Sequence, residues 1–356
     1  SFNPLSGTAR NMAIGGAMGS LGGDINATYV NPAGIANFKT GEFVFTPQFF
    51  LNNNSIDFRD VNNKSKKNNL TFSQIGVVFG AAKRYQPTVN HSVSLAVSQT
   101  ANYNNNSYYS GLNNYSSFSE QWAEEVAKSG LSLNQIRNTT QYAYGSAPAL
   151  ETYLVDTFNI GGNLVVKALP EFILESGKAL RQEMWKNTSG GIYEIALGYA
   201  VNNNDKIQFG GSLGIPILNY KSNVTFKESD TSNDAGNNFS SFAYTDNMRT
   251  SGVGANLKMG LIYRPKQYIR LGVALHSPTY MFSMTDKRST TLTANTEDYN
   301  HTAFTTSETF LNGVPNNNNY TMLTPWKFIV SGSYVFREIE NVRKQRAFIT
   351  ADIEYL

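Results

Sequence analysis

The stretch Gly7–Phe38, GTARNMAIGGAMGSLGGDINATYVNPAGIANF, differs from the rest of the chain and decides how that rest is interpreted. It is apolar, but glycine is too frequent for a core helix, and its apolar residues do not alternate long enough for a strand. Glycine adopts backbone conformations that other residues resist and lets backbones pack closely. Pro32 fixes its own φ and biases Asn31 away from helix. The pattern predicts a compact, irregular segment that packs inside another structure.

The residues after this segment alternate between apolar and polar or small side chains, which is the period of a β-strand. The apolar side of each stretch is rich in aromatic residues, and the other side carries glycine, serine and a few charges. Nine such stretches are present, at about residues 42–49, 74–81, 92–98, 192–201, 207–215, 252–263, 269–276, 326–336 and 347–356. The sequence therefore predicts an all-β, antiparallel protein.

The composition narrows the class further. Charged residues make up 15% of the chain, below the ~25% of typical soluble domains. A net charge of +3 gives no case for a nucleic-acid partner. The chain has no cysteine, which excludes disulfide scaffolds and thiolate metal sites.

The connections between the stretches alternate in length. Short links are expected at about 82–90, 202–205, 264–267 and 337–346, and long polar loops at about 52–69, 101–189, 228–248 and 287–319. Outer-membrane barrels have short turns at one end and long loops at the other, with the polar face of the sheet toward the lumen. A β-sandwich has no reason for such asymmetry. The sequence predicts a transmembrane β-barrel of the bacterial outer membrane, in contact with its lipid.

The sequence shows no arrangement of residues that supports catalysis. His91, His276 and His301 are far apart and lack metal-ligand spacing, and no Gly-x-Ser-x-Gly turn lies between a strand and a helix. We expect no enzyme activity, no metal and no cofactor.

The opening segment resembles the N-terminal hatch of the FadL/TodX family of outer-membrane transport proteins, above all its Bacteroidetes-type members. The resemblance rests on the Gly-Gly-Ala run at 15–17, on Asp24 and on the motif Asn31-Pro32-Ala33-Gly34. It covers about the first 50 residues. The alternative for the motif is an ordinary loop turn.

The resemblance implies a barrel of about 14 strands, of which about nine are present here, so that C-terminal strands are expected to be missing. It implies that residues 1–40 form a hatch, or lumen plug, and residues 41–356 the barrel. It also implies passive uptake of hydrophobic small molecules such as fatty acids or aromatic hydrocarbons. The insertion 101–189, with expected helices at 117–130, 147–158 and 170–185, corresponds to extracellular capturing loops.

Several residues are candidates within this scheme. Trp122 and Trp185 are candidates for capturing ligand on the insertion. The polar-face residues Glu194, Lys258, Arg270 and His276 are candidates for contacting a ligand in the lumen. The three basic ones could meet an anionic head group such as a carboxylate. The preferred alternative is that the three basic groups pair with lumen acids and hold the plug.

Pro216 is a candidate for a kink in the barrel wall, because proline removes a ladder hydrogen bond. A second function also stays open: a FadL-like barrel could serve as a structural or secretion partner for other proteins, as the PorV-like proteins do. Amphipathic helices that fold over an apolar groove would favour transport, and a flat polar surface on the insertion would favour a protein partner.

Overall fold

The computed structural model describes residues 6–83, 85–297, 301–313, 316–336 and 347–356. Over these ranges, the chain is mainly antiparallel β-sheet. The strands are β1 Glu42–Phe58, β2 Val61–Lys83, β3 Gln86–Asn102, β4 Asn105–Asn113, β5 Val155–Ile160, β6 Asn163–Ala168, β7 Leu180–Asn203, β8 Ile207–Asp230, β9 Ser241–Lys266, β10 Ile269–His276, β11 Tyr280–Thr296, β12 His301–Thr306, β13 Asn316–Leu323, β14 Lys327–Phe336 and β15 Ala347–Tyr355.

The helices are short and fall in two regions, the opening segment and the insertion after β4. They are α1 Ala9–Ala13, α2 Ala27–Val30, α3 Glu120–Ser129, α4 Leu133–Arg137, α5 Ser146–Glu151 and α6 Leu169–Glu175, with 3₁₀ turns at Pro32–Asn37, Thr140–Tyr142 and Ser307–Leu311. Across the described residues, none of the helices has both the length and the apolar content needed to cross a membrane.

One large sheet organises the molecule. Its continuous path is β1-β2-β3-β7-β8-β9-β10-β14-β15, and each of the nine alternating stretches of the sequence lies in one of these strands. The strands β4, β11, β12 and β13 join the sheet beside this path, whereas β5 and β6 form a separate hairpin. The expected total of about 14 strands stays a prediction.

Three pairs of strands behave as long strands with a short break. β3 and β4 both pair with β7, and β10 and β11 both pair with β9. β13 and β14 continue the same arrangement, because they pair with β11 and β10 respectively. The breaks at 277–279 and 324–326 are linked to each other, since the Thr324 N–H donates to the Thr279 carbonyl at 3.1 Å.

The prediction of long polar loops was partly wrong. Residues 52–69 belong to the β1–β2 hairpin, where Asn52 pairs with Lys67 and Phe58 with Val61. The expected loop 228–248 shrinks to 231–240, and much of 287–319 is strand. In the β1–β2 extension polar residues fall on both faces, so the alternation that marks a strand is lost there. The expected short link at 337–346 lies outside the described residues.

The two faces of the sheet are reversed relative to a soluble protein. Phe209, Leu213 and Leu257 stand on one face and are exposed, whereas Gln208 and Ser212, which point the other way, are buried. We call the buried polar side the inner face and the exposed apolar side the outer face. The same reversal holds in the neighbouring strands.

The insertion 101–189 combines strands and helices. Its first predicted helix, 117–130, is present as α3, but the second is short and passes into β5, and the third ends at Glu175 before β7 begins. The helices pack on the inner face of the strand extensions, where their apolar side chains form a core with Phe226, Phe242 and Tyr244. The insertion therefore lies over one end of the curled sheet.

Candidate functional site

Residues 6–38, which we call the inner segment, lie against the inner face of the sheet. The Gly7 N–H donates to Ser73 Oγ in β2 at 2.9 Å, and the Gly19 N–H donates to Asp352 Oδ2 in β15 at 2.9 Å. Between these ends, Asn90 Nδ2 of β3 donates to the Phe38 carbonyl at 2.9 Å. A segment of this size reaches both sides of the sheet because the sheet curls around it.

The motif Asn31-Pro32-Ala33-Gly34 lies at the centre of these contacts. Asn31 is fully buried, and its Oδ1 accepts from the Ala33 N–H at 3.1 Å, which caps the 3₁₀ turn that begins at Pro32. Asn31 Nδ2 donates to the Gly19 carbonyl at 2.6 Å and to the Leu261 carbonyl of β9 at 3.3 Å. One side chain thus joins two parts of the inner segment to the wall.

Asp24 fixes the fold of the inner segment itself. Its buried carboxylate accepts from Thr8 Oγ1 at 2.6 Å and from the Asn26 N–H at 2.8 Å. Thr8 is also the N-cap of α1. Asp24 therefore ties the start of α1 to the turn before α2.

The close approach of segment and sheet requires glycine on the inner face. A Cβ atom at Gly260 would lie 1.8 Å from Asn31 Oδ1, and one at Gly210 would lie 2.6 Å from the Pro32 carbonyl oxygen. Gly210 and Gly260 are cross-strand partners in β8 and β9. The sheet thus provides a shallow seat for the motif.

The charged candidates on the inner face contact one another or the inner segment. Glu194 and Lys258 form a buried ion pair, and Lys258 Nζ also donates to Asn256 Oδ1 at 2.6 Å. Tyr29 Oη donates to the Glu194 carbonyl at 3.0 Å. Lys258 thus pairs with an acidic side chain, and a role of the pair in holding the segment or meeting a ligand stays a prediction.

The two remaining basic candidates bind backbone carbonyls of the inner segment. Arg270 Nη1 donates to the Leu21 carbonyl at 3.0 Å, and His276 Nε2 lies 2.8 Å from the Val30 carbonyl oxygen. A role toward an anionic ligand stays a prediction for both. Within the described ranges, no three His, Cys, Asp or Glu side chains cluster closely enough to hold a metal ion.

Pro216 lies inside β8, opposite Glu194 of β7. On its other side, the ladder with β9 pairs Gly214 with Asn256 and resumes at Ile217 with Val253. Residues 215 and 216 therefore have no partner in β9. Next to this part of β9, on its other side, lies the break at 277–279 between β10 and β11. A role for Pro216 in a wall opening stays a prediction.

The two tryptophan candidates differ in their access to solvent. Trp122 of α3 is only 6% exposed and packs against Phe118 and Tyr244. It borders a cavity of about 520 Å³. Trp185 of β7 is 38% exposed and its ring lies 5.3 Å from that of Tyr108. Trp185 is the more exposed of the two, and a role of either residue in capture stays a prediction.

A cavity of about 980 Å³ lies between the strands that surround the inner face. Apolar and aromatic side chains from several strands line it, together with amide side chains, Lys186, Thr188 and Thr250. The residues that line it include Phe50, Asn52, Asn54, Asn102, Tyr103, Asn105, Leu218, Tyr220, Met284 and Met322. Such a lining suits a mainly apolar molecule with one or two hydrogen-bonding groups.

Several solved structures are similar to this chain. The toluene transporter TodX of Pseudomonas putida matches with 14% identity and a TM-score of 0.44, over 99% of this chain and 70% of that chain. The CymD monoaromatic hydrocarbon channel matches with 9% identity and a TM-score of 0.35, over 100% and 94%. A Pseudomonas aeruginosa FadL homologue matches with 10% identity and a TM-score of 0.35, over 94% and 77%. No family model and no curated protein matches the chain.

Sequence reasoning missed a buried carboxylate that contacts the insertion. Glu228, near the end of β8, accepts hydrogen bonds from the Phe118 N–H at 2.6 Å and from Gln182 Nε2 at 2.6 Å, and Ser117 Oγ donates to its other oxygen. It lies eleven residues beyond Ile217, outside the exposed apolar stretch of β8. Burial raises the pKa of the Glu228 carboxyl to about 7. The residues that surround it are distant in sequence, so only the folded chain reveals the site.

Proposed function

We propose that the chain is an outer-membrane channel for passive uptake of hydrophobic small molecules, with residues 1–40 as a plug in its lumen. The observation that carries the proposal is the reversal of the sheet. Apolar side chains such as Phe209 and Leu213 are exposed along the outer face, whereas the polar inner face is buried against the inner segment. Water disfavours so large an apolar surface, but the hydrocarbon core of a bilayer matches it.

The proposed cargo follows from the cavity and from the resemblance of the opening segment to the FadL/TodX hatch. The cavity is large enough for a molecule the size of a fatty acid or an aromatic hydrocarbon. Burial of each CH₂ group contributes roughly 0.8 kcal/mol, so a chain of ten carbons can bind without an energy source. The proposal includes the Bacteroidetes-type assignment and extracellular capture at the insertion.

The alternative is a barrel that serves a protein partner and carries no small molecule. This alternative predicts that the insertion has a flat polar surface. Instead, the helices of the insertion bury their apolar side chains against the strands, in a core that includes Phe226 and Leu292. Transport is therefore the proposed function, and the experiments below would reveal a protein partner if there is one.

A matched pair of substitutions in β8 tests the proposal. Leu218→Trp fills the cavity from the inner face, and Leu213→Trp places the same ring on the outer face. Both proteins are expressed in a bacterial host that lacks its own hydrocarbon channels, and uptake of labelled decanoate and toluene is measured. We expect Leu218→Trp to reduce uptake severalfold and Leu213→Trp to leave it unchanged. Equal uptake by both variants and by cells without the channel would contradict transport.

A further inference from the structure

Three cations stand side by side on the outer face, above the apolar stretch. Lys221 of β8 is the cross-strand partner of Arg249 in β9, and Arg249 is the partner of Lys287 in β11. We call these three residues the cationic row. Side chains alternate between faces along a strand, so Lys221 shares a face with Ile217, and Arg249 shares a face with Val253. All three cations are exposed.

Among the described residues, none of the cross-strand partners of the cationic row is acidic. Its other cross-strand partners are Ser189 next to Lys221 and Asn317 next to Lys287. In the part of the chain that the structure describes, the carboxylates that form ion pairs do so with other basic residues. Like charges directly opposite each other destabilise a sheet. An anion at this place would remove the repulsion.

The surroundings of the row form a cleft rather than a flat surface. The cleft has a volume of about 510 Å³, and its polar lining includes Asn187, Asn223, Asn247 and Ser289. Lys67 adds a fourth cation, since its Nζ lies 2.5 Å from Asn187 Oδ1. Neutral amides between cations can donate further hydrogen bonds to phosphate oxygens.

The distance along the strands between the apolar stretch and the cationic row indicates the kind of anion. Lys221 follows Ile217 by four residues, which places it roughly 13 Å further along the strand at ~3.3 Å per residue. Asn219 and Ser251, which are polar, lie between the apolar stretch and the row on this face. A lipid with a large phosphorylated head group would have its acyl chains on the apolar side chains and its phosphates at the row.

We propose that the cationic row binds the phosphates of an outer-leaflet lipid whose head is a phosphorylated sugar and whose acyl chains lie on the apolar outer face. Arginine can bind one phosphate through two parallel hydrogen bonds, and the two lysines add charge on either side. This inference rests on the membrane location in the proposed function. The lipid contacts the outside of the wall and is distinct from the cargo in the cavity.

The experiment uses the full chain in phosphatidylcholine nanodiscs that contain a small fraction of diphosphorylated lipid A. Lipid A retained per protein is counted by native mass spectrometry for the wild type, for Arg249→Gln/Lys287→Gln and for Lys64→Gln/Lys66→Gln. The control pair removes the same charge from exposed positions of β2 that do not line the cleft. Juxtamembrane cations contribute enough affinity that we expect the first variant to lose retention by roughly tenfold. The control should match the wild type.

Other results would overturn the inference in distinguishable ways. Equal retention by both variants would show that the row does not bind this lipid. Inositol hexaphosphate, which has no acyl chains, is the competitor; if it binds as tightly as lipid A, the row is a site for soluble anions. If the protein enters phosphatidylcholine bilayers without preferring lipid A, the inference fails and the proposed function stands. If it enters no bilayer, both fail.

Discussion

The carboxylate of Glu194 and the ammonium group of Lys258 form a buried ion pair beneath Tyr29 of the inner segment. The two residues come from β7 and β9, with Gly214 of β8 between them; a Cβ atom at Gly214 would lie 2.0 Å from Glu194 Oε1. Three strands therefore cooperate to place one pair of charges where the segment contacts the wall. Loss of the pair should therefore affect both the stability of the sheet and the packing of the inner segment against it.

Substitution of one partner should destabilise the protein strongly. Lys258→Met leaves the Glu194 carboxylate buried without its cation, which typically costs about 3–5 kcal/mol. We expect a clear fall in the free energy of unfolding, measured by urea titration in detergent. The double variant Glu194→Gln/Lys258→Met should recover much of the loss, because neither charge is then left alone. Single and double variants of equal stability would contradict this account of the pair.

Two adjacent glycines in β8 test how closely the inner segment fits the wall. Gly210 faces Pro32, whereas the nearest atom to a Cβ at Gly211 is the Lys258 carbonyl oxygen at 3.6 Å, an ordinary contact. Gly210→Ala should displace the segment and raise the leakage of small hydrophilic solutes in liposome swelling. Gly211→Ala should leave leakage at the wild-type level.

Deletion of residues 1–40 gives the largest leakage that removal of the segment can cause in the same liposome-swelling assay. If these residues plug the lumen, the truncated protein should leak more than Gly210→Ala. Unchanged leakage after the deletion would mean that the segment does not block the passage.

The buried Glu228 predicts a pH dependence in the insertion. Its pKa in the folded protein is about 7, above the ordinary value of 4.5, so the folded state holds the proton more tightly than the unfolded state. The stabilisation is complete below pH 4.5 and is lost as pH rises through 7. Hydrogen exchange of the α3 amides should therefore be slow at pH 5 and faster at pH 8, after correction for the intrinsic rate.

Glu228→Gln provides the control for this prediction. A glutamine can still accept from the Phe118 N–H but does not ionise, so the corrected exchange of α3 should become independent of pH. A pH dependence that persists in Glu228→Gln would assign the effect to another group.

The sequence predicted those features that repeat along the chain. Alternation in 207–215 located β8 and separated Phe209 from Gln208, and the structure confirms that these residues lie on opposite faces. The extensions were misjudged as loops because Asn52 and Lys67 stand among polar residues on both faces. The third helix was predicted to continue to residue 185, but it ends at Glu175. Gly177, just beyond this end, has a φ of +78°, which a helix does not allow, and the prediction did not take this glycine into account.

The site was harder to predict than the strands. Asn31 could be recognised from its motif, but its bond to the Leu261 carbonyl depends on residues 230 positions apart. The cavity draws its lining from β1, β3, β4, β7, β8, β9, β11 and β13, so no single stretch of sequence carries its signature. The charges of Glu194 and Lys258 were visible, but only the curled sheet determines that they meet.

Native mass spectrometry of the detergent-purified protein, with extraction and identification of bound molecules, tests the central claim most directly. Wild type and Leu213→Trp should carry an apolar small molecule, such as a fatty acid or an aromatic compound, and Leu218→Trp should lose it. A protein partner in stoichiometric amount, with no small molecule bound to any of the three proteins, would contradict the transport account and favour the alternative.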